Sequence, residues 1–564
     1  MKFHEYPYAR PDYEQYKVKA KALMEQFSQA KDSNEQIAIL KQINTLEGNL
    51  ETMAVLSSIR HSIDTTDAFY EEENNFWDEY TPLFAELSNE LSKLIVSSKF
   101  LNELKEKFPK QFFTLIEMQL KEFDPIIIED LQKENQLVSK YQKLIASAQI
   151  EFDGQTYTLP QLVPLTQSKD RSMRERAFNA RIGFFEAHEQ EIDDIYDSLV
   201  KVRTAIAKKL GFNSYVELGY VRMKRSDYTK HDVANYRKQV LEHMVPINQT
   251  LYADQAKRLN LDALRYFDEK YVFDSGNPTP KGDPDWILNH GKTMYRELSK
   301  ETDEFFSYMT EHELLDLVAK KGKAGGGYCT FLYDYKSPFI FSNFNGTAGD
   351  VDVLTHEAGH AFQTYCSRNI EIPSLIFPTM ESCEIHSMSM EFFTEKWMDL
   401  FFEEDAEKYH YMHLTDAFKF IPYGITVDAF QHIVYENPDY TPEQRKQAWR
   451  ELEKQYLPHK NYEGIDFLER GGWWFQQSHI FSTPFYYIDY TLAQVCALQF
   501  YAKMNENYEE AWKDYLHLCK QGGTKSFLGL VEEANLTSPF ITGTIQNITD
   551  KLAPVIAGFD SSKF

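Results

Sequence analysis

The stretch VLTHEAGHAFQTY, Val353 to Tyr365, carries two histidines four residues apart, with a glutamate directly after the first. The small and N-capping residues TAGD, Thr347 to Asp350, precede it, so we expect a helix that reaches the motif after one or two turns. Residues i and i+4 of a helix share one face, with Cβ atoms about 5–6 Å apart. The imidazoles of His356 and His360 can therefore converge on one metal ion, and zinc suits this geometry.

Glu357 is the residue of this motif that suits catalysis. It lies about 100° around the helix axis from His356, near such a metal but poorly placed to bind it beside both histidines. It would act as the general base that takes a proton from water. The alternative is an ordinary helix whose two partly buried histidines are satisfied by hydrogen bonds. Gly359 favours the metal site, because it leaves room beside the histidines.

A third metal ligand has to come from elsewhere, because a catalytic zinc normally has three protein ligands and a water. AFQTYCSRN, which follows His360, contains no histidine, so a carboxylate is favoured. The next acidic segment is Phe377 to Trp397, where helical periodicity puts Glu384 and Glu391 on one face with Glu381 near it. For each acid taken alone, a solvated or ion-paired position on a helix is the alternative.

Elsewhere the residue pattern predicts a mostly helical chain. The first 150 residues form successive amphipathic patterns, and helical spacing resumes from Arg171 to Lys209 and from Asp232 to Asn260. Two interruptions predict β-structure. Asp153-Gly154 lies between short β-prone runs and indicates a hairpin. The aromatic segment from Gly325 to Thr347 predicts two or three strands just before the histidine helix.

THEAGHAF, followed 28 residues after its first histidine by the glutamate of CEIHSMSMEFF, resembles the oligoendopeptidase F branch of the thimet oligopeptidase family of zinc metallopeptidases. In that family the second segment has the form Glu-x-x-Ser-x-x-x-Glu, matched here by Glu384, Ser387 and Glu391. Its first glutamate binds zinc. The resemblance therefore selects Glu384 over Glu381 and implies one Zn²⁺ per chain, held by Glu384 and the two histidines of the motif.

The resemblance covers about the carboxy-terminal two thirds of the chain and includes GGGYCT upstream of the histidine motif and the tyrosine-rich tail downstream of it. It implies a mainly α fold: a large two-lobed helical protein with a deep substrate channel and a small β-sheet beside the HExxH helix. We expect an N-terminal helical region at residues 1–160 and a catalytic region at residues 161–564. Such a protein hydrolyses oligopeptides internally and excludes folded proteins.

The tail carries GGWWFQQSHIFSTPFYYIDYTLAQ, Gly471 to Gln494. Thimet-type enzymes place a histidine and tyrosines of the equivalent segment over the zinc, where they donate hydrogen bonds to the oxyanion. The matching residues here are His479, Tyr487 and Tyr490. An aromatic core helix is the alternative for Tyr486 and for Tyr487.

Composition limits the partners. The net charge of −26 repels phosphate backbones, so nucleic acid is not an expected partner. The amino terminus has no apolar core of signal-peptide length, and no segment supplies roughly 18 consecutive apolar residues for a membrane span. A cytoplasmic protein is therefore predicted. The expected partners are oligopeptide substrates, and the sequence sets no oligomeric state.

Three functions are compatible with these motifs. The favoured one is a zinc-dependent endopeptidase with Glu357 as general base. A peptide-binding protein that keeps the zinc without turnover is the first alternative, and the presence of Glu357 argues against it. The second alternative is a helical zinc exopeptidase, which would release residues or dipeptides only from a peptide end.

Overall fold

A computed structural model describes residues 1–320, 322–560 and 564. The protein is mainly α, as predicted. The helices of the first half are α1 (Tyr13–Gln29), α2 (Ser33–Ile63), α3 (Ala68–Val96), α4 (Leu101–Lys107), α5 (Lys110–Glu122), α6 (Ile128–Ala146), α7 (Arg171–Ala187), α8 (Glu189–Lys209), α9 (Tyr215–Arg222), α10 (Lys230–His243) and α11 (Val245–Arg258).

The helices of the second half include those that carry the predicted site residues. They are α12 (Pro284–Leu298), α13 (Lys300–Glu311), α14 (Gly349–Ser367), α15 (Met380–Phe393), α16 (Asp399–Phe402), α17 (Ala406–Glu436), α18 (Pro442–Tyr456), α19 (Asp466–Glu469), α20 (Ser478–Ser482), α21 (Tyr487–Gln521), α22 (Phe527–Glu533) and α23 (Thr544–Ala557). Non-helical backbone at Asn507 divides α21. Within the described part of the chain, no helix is both long and apolar enough to cross a membrane.

The chain divides into two compact units, each built from three segments. The first unit comprises Met1–Pro125, Pro280–Glu403 and Lys503–Leu536. The second unit comprises the remaining segments, Ile126–Thr279, Glu404–Ala502 and Thr537–Phe564. The division into functional regions at residue 160 stays a prediction.

A small hairpin in the second unit confirms the turn predicted at Asp153-Gly154. Strands β1 (Ile150–Phe152) and β2 (Gln155–Tyr157) pair antiparallel. Asp153 and Gly154 have φ angles of 50° and 80°. Two consecutive residues with positive φ make the tight turn that matches the twist of a two-residue hairpin, which Asp-Gly favours.

The first unit contains a mixed sheet of three strands: β3 (Leu315–Val318), β4 (Tyr328–Leu332) and β5 (Ser337–Phe344). Their order is β3-β5-β4, with β5 parallel to β3 and antiparallel to β4. The aromatic segment before the histidine helix supplies β4 and β5, as predicted, whereas β3 lies upstream of it. Helix α14 packs on β4 and β5, so the sheet lies beside the histidine motif.

Helices α14 and α15 pack closely at Gly359. A Cβ atom at this position would lie 2.6 Å from the carbonyl oxygen of His386 and 2.6 Å from the Cα of Ser387. These are backbone atoms of α15, which cannot move aside as a side chain can. The absence of a side chain at Gly359 therefore sets how near the two helices come.

Gly359→Ala is expected to lower the free energy of unfolding by about 1–3 kcal/mol, because the new methyl group overpacks a helix backbone. Gly183→Ala is the matched control, since Gly183 is exposed within α7 and a Cβ there meets nothing within 4 Å. That control should be neutral or stabilising by up to about 1 kcal/mol. Denaturant unfolding of both variants checks the difference, and equal stabilities would contradict the packing argument.

Candidate metal centre

The histidine helix starts at a turn that its own first residues fix. Helix α14 begins at Gly349, and His356 follows about two turns later, as predicted. The buried Asp350 carboxylate accepts hydrogen bonds from the backbone N–H groups of Asn345 and Gly346, both at 2.8 Å. The loop that leaves β5 is thus tied to the first turn of the helix, which sets where the motif begins.

The side chains of His356, His360 and Glu384 meet between α14 and α15. One potential ligand atom of each lies within 4.8 Å of the other two. The Oε2 atom of Glu384 is 3.3 Å from Nε2 of His356 and 3.4 Å from Nε2 of His360. One carboxylate oxygen thus faces both imidazole nitrogens, an arrangement in which all three groups could hold one metal ion.

Two neighbours on α15 orient these groups. The Ser387 hydroxyl donates a hydrogen bond of 2.9 Å to Oε2 of Glu384. The Oε1 atom of Glu391 lies 2.7 Å from Nδ1 of His356, so the carboxylate accepts the proton that this nitrogen carries. Such a bond fixes the tautomer that leaves Nε2 free to bind a metal.

The charges of the cluster favour an ionised carboxylate. Burial opposes ionisation of Glu384, but His360 and His356 beside it outweigh this and hold its pKa well below the usual range. Burial likewise opposes protonation of His356, yet its bonds to Glu384 and Glu391 raise the pKa of the imidazole well above its usual value. A metal ion bound here would therefore compete with a proton for Nε2 of His356, whereas the Glu384 carboxylate is already ionised.

Glu357 lies beside the cluster and is 6% exposed. Burial raises its pKa, which is the direction that suits a proton acceptor working near neutral pH. Its Oε2 atom has no hydrogen-bond partner among the described residues. Its Oε1 atom lies near Gly327, the residue that leads into β4, where a Cβ would be 3.4 Å away.

The predicted tail residues gather in an aromatic cluster of the second unit. The ring of His479 lies 5.0 Å from that of Tyr487 and 5.8 Å from that of Tyr490, centroid to centroid. Tyr486 joins the cluster, 4.8 Å from Tyr490. All four side chains are half-buried, so each keeps some surface open to a ligand. Nδ1 of His479 lies 2.8 Å from the amide nitrogen of Gln477.

Two buried arginines of the second unit hold the segment that carries this cluster. Arg203 donates hydrogen bonds to the carbonyl oxygens of Ile480 and Phe481, beside His479. Arg225 donates to the carbonyl of Phe485 and to the Asp489 carboxylate, the latter at 2.8 Å. Because Asp489 directly precedes Tyr490, this ion pair fixes the first turn of α21.

Family models match most of this architecture. A model described as peptidase family M3 matches residues 295–549, and one described as the peptidase M3 N-terminal domain matches residues 3–123. A solved structure of a candidate oligoendopeptidase F is 54% identical to this chain, covers 100% of both chains and has a TM-score of 0.97. The chain belongs to the oligoendopeptidase F branch of peptidase family M3.

Two further solved structures are similar over the full length of this M3 peptidase. PZ peptidase A, solved with an inhibitor, is 56% identical, with a TM-score of 0.97, over 99% of this chain and 100% of its own. A candidate oligoendopeptidase F from Bacillus anthracis strain Ames is 53% identical, with a TM-score of 0.93, over 100% and 99%. The resemblance inferred from the motifs is thereby confirmed, and the chain is a peptidase.

In this M3 peptidase, the predicted ligands of α14 and α15 lie together in the first unit, and the predicted tail residues lie together in the second. Their roles as ligands and catalytic groups stay predictions. Sequence reasoning missed two contacts, Glu391 with Nδ1 of His356 and Gln477 with His479. The spacing of Glu384 and Glu391 signals a shared helix face, but it does not name the histidine that Glu391 contacts.

Glu384→Ala is expected to lower the divalent metal content of this M3 peptidase far below that of Glu381→Ala. Glu381 is a matched control because it is also buried on α15, one turn earlier, but is not a member of the three-residue cluster. Loss of one of three protein ligands weakens metal binding, whereas a residue outside the ligand set does not contact the metal. Metal analysis after identical dialysis checks the ranking, and the reverse order would assign the third ligand to Glu381.

Proposed function

We propose that this M3 peptidase is a zinc-dependent endopeptidase that hydrolyses internal bonds of short oligopeptides. The observation that carries the proposal is the convergence of His356, His360 and Glu384, with Glu357 beside them. Two imidazoles and one carboxylate are a ligand set that catalytic zinc sites use, with the fourth position left to water or substrate. The resemblance to the oligoendopeptidase F branch supports the same assignment.

The residues fit a zinc ion in three respects. Nε2 of both histidines points to the same carboxylate oxygen, at 3.3 and 3.4 Å. The partners of Glu384 keep this carboxyl group ionised. Glu391 accepts a hydrogen bond from Nδ1 of His356. Zinc-binding histidines usually make such a bond with the ring nitrogen that does not contact the metal.

Glu357 would move the proton in this reaction. A zinc ion bound here would lower the pKa of a water and polarise the scissile carbonyl. Glu357 accepts the proton of the attacking water and passes it to the amine of the leaving peptide. Its Oε2 atom, which lacks a hydrogen-bond partner among the described residues, is available for that transfer.

Strand β4 would hold the substrate. It forms an edge of the three-stranded sheet, and it begins at the residue after Gly327, which lies near Glu357. An extended peptide can add to such an edge through main-chain hydrogen bonds. A folded protein rarely offers a free extended segment, so this mode of binding favours short peptides over folded substrates.

The aromatic cluster of the second unit would stabilise the transition state. We assign to His479 and Tyr490, with Tyr487 as the alternative tyrosine, the donation of hydrogen bonds to the oxyanion. The resemblance supports this role, because thimet-type enzymes use a histidine and tyrosines of the equivalent segment. The firm anchoring of that segment by Arg203 and Arg225 is what a preorganised donor requires.

Two other functions make different predictions. A peptide-binding protein without turnover needs no general base, yet Glu357 is present next to the ligand cluster. A zinc exopeptidase would release single residues or dipeptides from an end. Incubation of the purified protein with a mixed peptide library, with and without a chelator, separates the three functions when fragments are identified by mass spectrometry.

Glu357→Gln is expected to keep the metal and to lose at least about a hundredfold of the hydrolysis rate. The amide has nearly the same shape but cannot act as a base at neutral pH. In this variant, metal analysis should therefore show a metal content like that of the wild type, while hydrolysis of a quenched fluorescent peptide is strongly reduced. Hydrolysis at the wild-type rate would remove Glu357 from the mechanism.

Tyr490→Phe is expected to lower the catalytic rate by about a hundredfold or more, with little change in metal content or peptide binding. A donor to the oxyanion acts mainly in the transition state, so its loss appears in kcat and not in KM. Tyr487→Phe is the matched variant from the same cluster. If Tyr490→Phe stays within about twofold of wild type while Tyr487→Phe is slow, the role passes to Tyr487.

A further inference from the structure

A second group of buried and partly buried polar side chains lies in the second unit, apart from the residues assigned so far. It comprises Lys419 of α17, Tyr252 and Gln255 of α11, and His459 and Lys460 of the segment after α18. Lys419 is 8% exposed, and the side chain of His459 is 10% exposed. Buried cationic and imidazole groups need hydrogen-bond or ion-pair partners. The contacts of each member therefore show which of these groups lacks a partner.

Lys419 is a buried cation without a counter-ion. Its ammonium donates a hydrogen bond of 3.0 Å to Oε1 of Gln255 and lies 4.9 Å from the ring centre of Tyr252. No carboxylate of the described residues forms an ion pair with it, although an ammonium has three N–H donors. The Gln255 amide is held in one orientation, because its nitrogen donates to the carbonyl oxygens of Glu269 and Tyr271. Its oxygen therefore accepts from Lys419 but gives that ammonium no second acceptor.

His459 is the second incompletely satisfied group. Its ring stacks on Tyr252 with centroids 3.7 Å apart and planes at 18°. Its Nε2 has no hydrogen-bond partner among the described residues, since the nearest carboxylate oxygen, Oε2 of Glu269, is 3.9 Å away. That oxygen is already occupied by Lys460 at 2.7 Å. The stack on Tyr252 therefore leaves a donor or acceptor nitrogen open beside a buried ammonium.

Lys419 stays cationic at pH 7, although burial opposes its charge. Burial lowers its pKa to about 8, with Asp416 opposing this effect and Arg258 adding to it. Burial, Lys460 and Lys419 together lower the pKa of His459 well below its usual value, so this imidazole is neutral. Lys460 forms an ion pair with Glu269, whereas Asp416 and Glu269 attract Lys419 only from beyond ion-pair distance.

We propose that Lys419 and His459, with Tyr252 as an aromatic wall, form a binding site for the terminal carboxylate of a peptide. A carboxylate would supply the counter-ion that Lys419 lacks and an acceptor for a proton on Nε2 of His459. Charge-assisted hydrogen bonds of this kind are the strong ones. The source of the carboxylate rests on the proposed peptide hydrolysis, whereas the site itself rests on the contacts above.

The site lies next to the aromatic cluster of the second unit. Tyr423 follows Lys419 by one helical turn on α17, and its ring lies 5.8 Å from that of Tyr487. The Tyr423 hydroxyl also donates a hydrogen bond of 2.7 Å to Gln477, the neighbour of His479. One helical turn is about 6 Å, or roughly two residues of extended chain. A peptide needs only about two further residues to span from the aromatic cluster to Lys419.

The test measures peptide binding without turnover. Isothermal titration calorimetry at pH 7 on the full-length Glu357→Gln protein compares three probes: N-acetyl-tetraalanine with a free carboxylate, its C-terminal amide, and an amide whose last residue is glutamate. The free acid is expected to bind about tenfold tighter than the plain amide. Equal binding of acid and amide would overturn the proposal. If the glutamate amide matches the free acid, a carboxylate site is supported but its source is a side chain.

Lys419→Met in the Glu357→Gln background should reduce the preference for the acid to about twofold or less. Lys408→Met is the matched control, because Lys408 lies on the same helix and pairs with Asp405 at 2.9 Å. This control should keep the full preference. An unchanged preference in Lys419→Met would remove Lys419 from the site.

His459→Gln provides a second variant if circular dichroism shows that Lys419→Met is unfolded. It should weaken binding of the free acid severalfold and leave binding of the amide unchanged, and an unchanged preference would overturn the proposal. Because binding is read without hydrolysis, a wild-type protein that cleaves no peptide would contradict the proposed function and leave this result intact.

Discussion

The contact between Gly359 of α14 and the backbone of α15 at His386 and Ser387 is the constraint on which the candidate metal centre depends. Helix α14 carries two candidate nitrogen ligands but no third candidate ligand at a suitable position. The third has to come from another element, and a glutamate side chain is short. Only when the two helix backbones nearly touch can Glu384 reach the same point as His356 and His360. Because Gly359 has no side chain, α14 and α15 come close enough for His356, His360 and Glu384 to meet.

The same packing explains the electrostatics of the cluster. Burial among uncharged groups raises the pKa of a carboxyl and favours its protonated form. Glu384 is instead buried against two imidazoles and a hydroxyl, which favour the ionised form. The partners of Glu384 come from the two helices themselves, and Glu391 of α15 contacts His356 on its other ring nitrogen. Glu357 differs, because burial acts on it without a hydrogen-bond partner at Oε2 among the described residues. The same helix pair thus holds a candidate ligand carboxylate that is ionised and a second glutamate whose pKa is raised.

Buried cations of the second unit fall into two kinds. Arg203 is paired with Glu134, and Arg225 is paired with Asp489, and both also bind backbone carbonyls. Each of these arginines has a carboxylate partner, and both hold the segment with the aromatic cluster in place. Lys419 has a neutral amide instead of a counter-ion. The chain has a net charge of −26, so carboxylates are abundant, yet none forms an ion pair with this buried cation among the described residues. An anion from outside the chain would therefore stabilise its charge.

The sequence by itself determined the features that depend on neighbours along the chain. Helical periodicity placed His356 and His360 on one face and Glu384 with Glu391 on another, and the Asp153-Gly154 pair predicted a hairpin that the structure contains. The motif spacing also identified the family. These results hold because backbone geometry relates residues a few positions apart, whatever the rest of the chain does.

Only the tertiary structure decided which faces meet. It paired β5 with β3, a strand outside the predicted segment, because strand pairing depends on chain approach and not on local pattern. It brought Glu391 to His356 through the packing at Gly359, and it placed both Lys419 and His459 on the ring of Tyr252. Partners across helices depend on the distance and rotation between them, which the complete packed core sets and no single helix encodes.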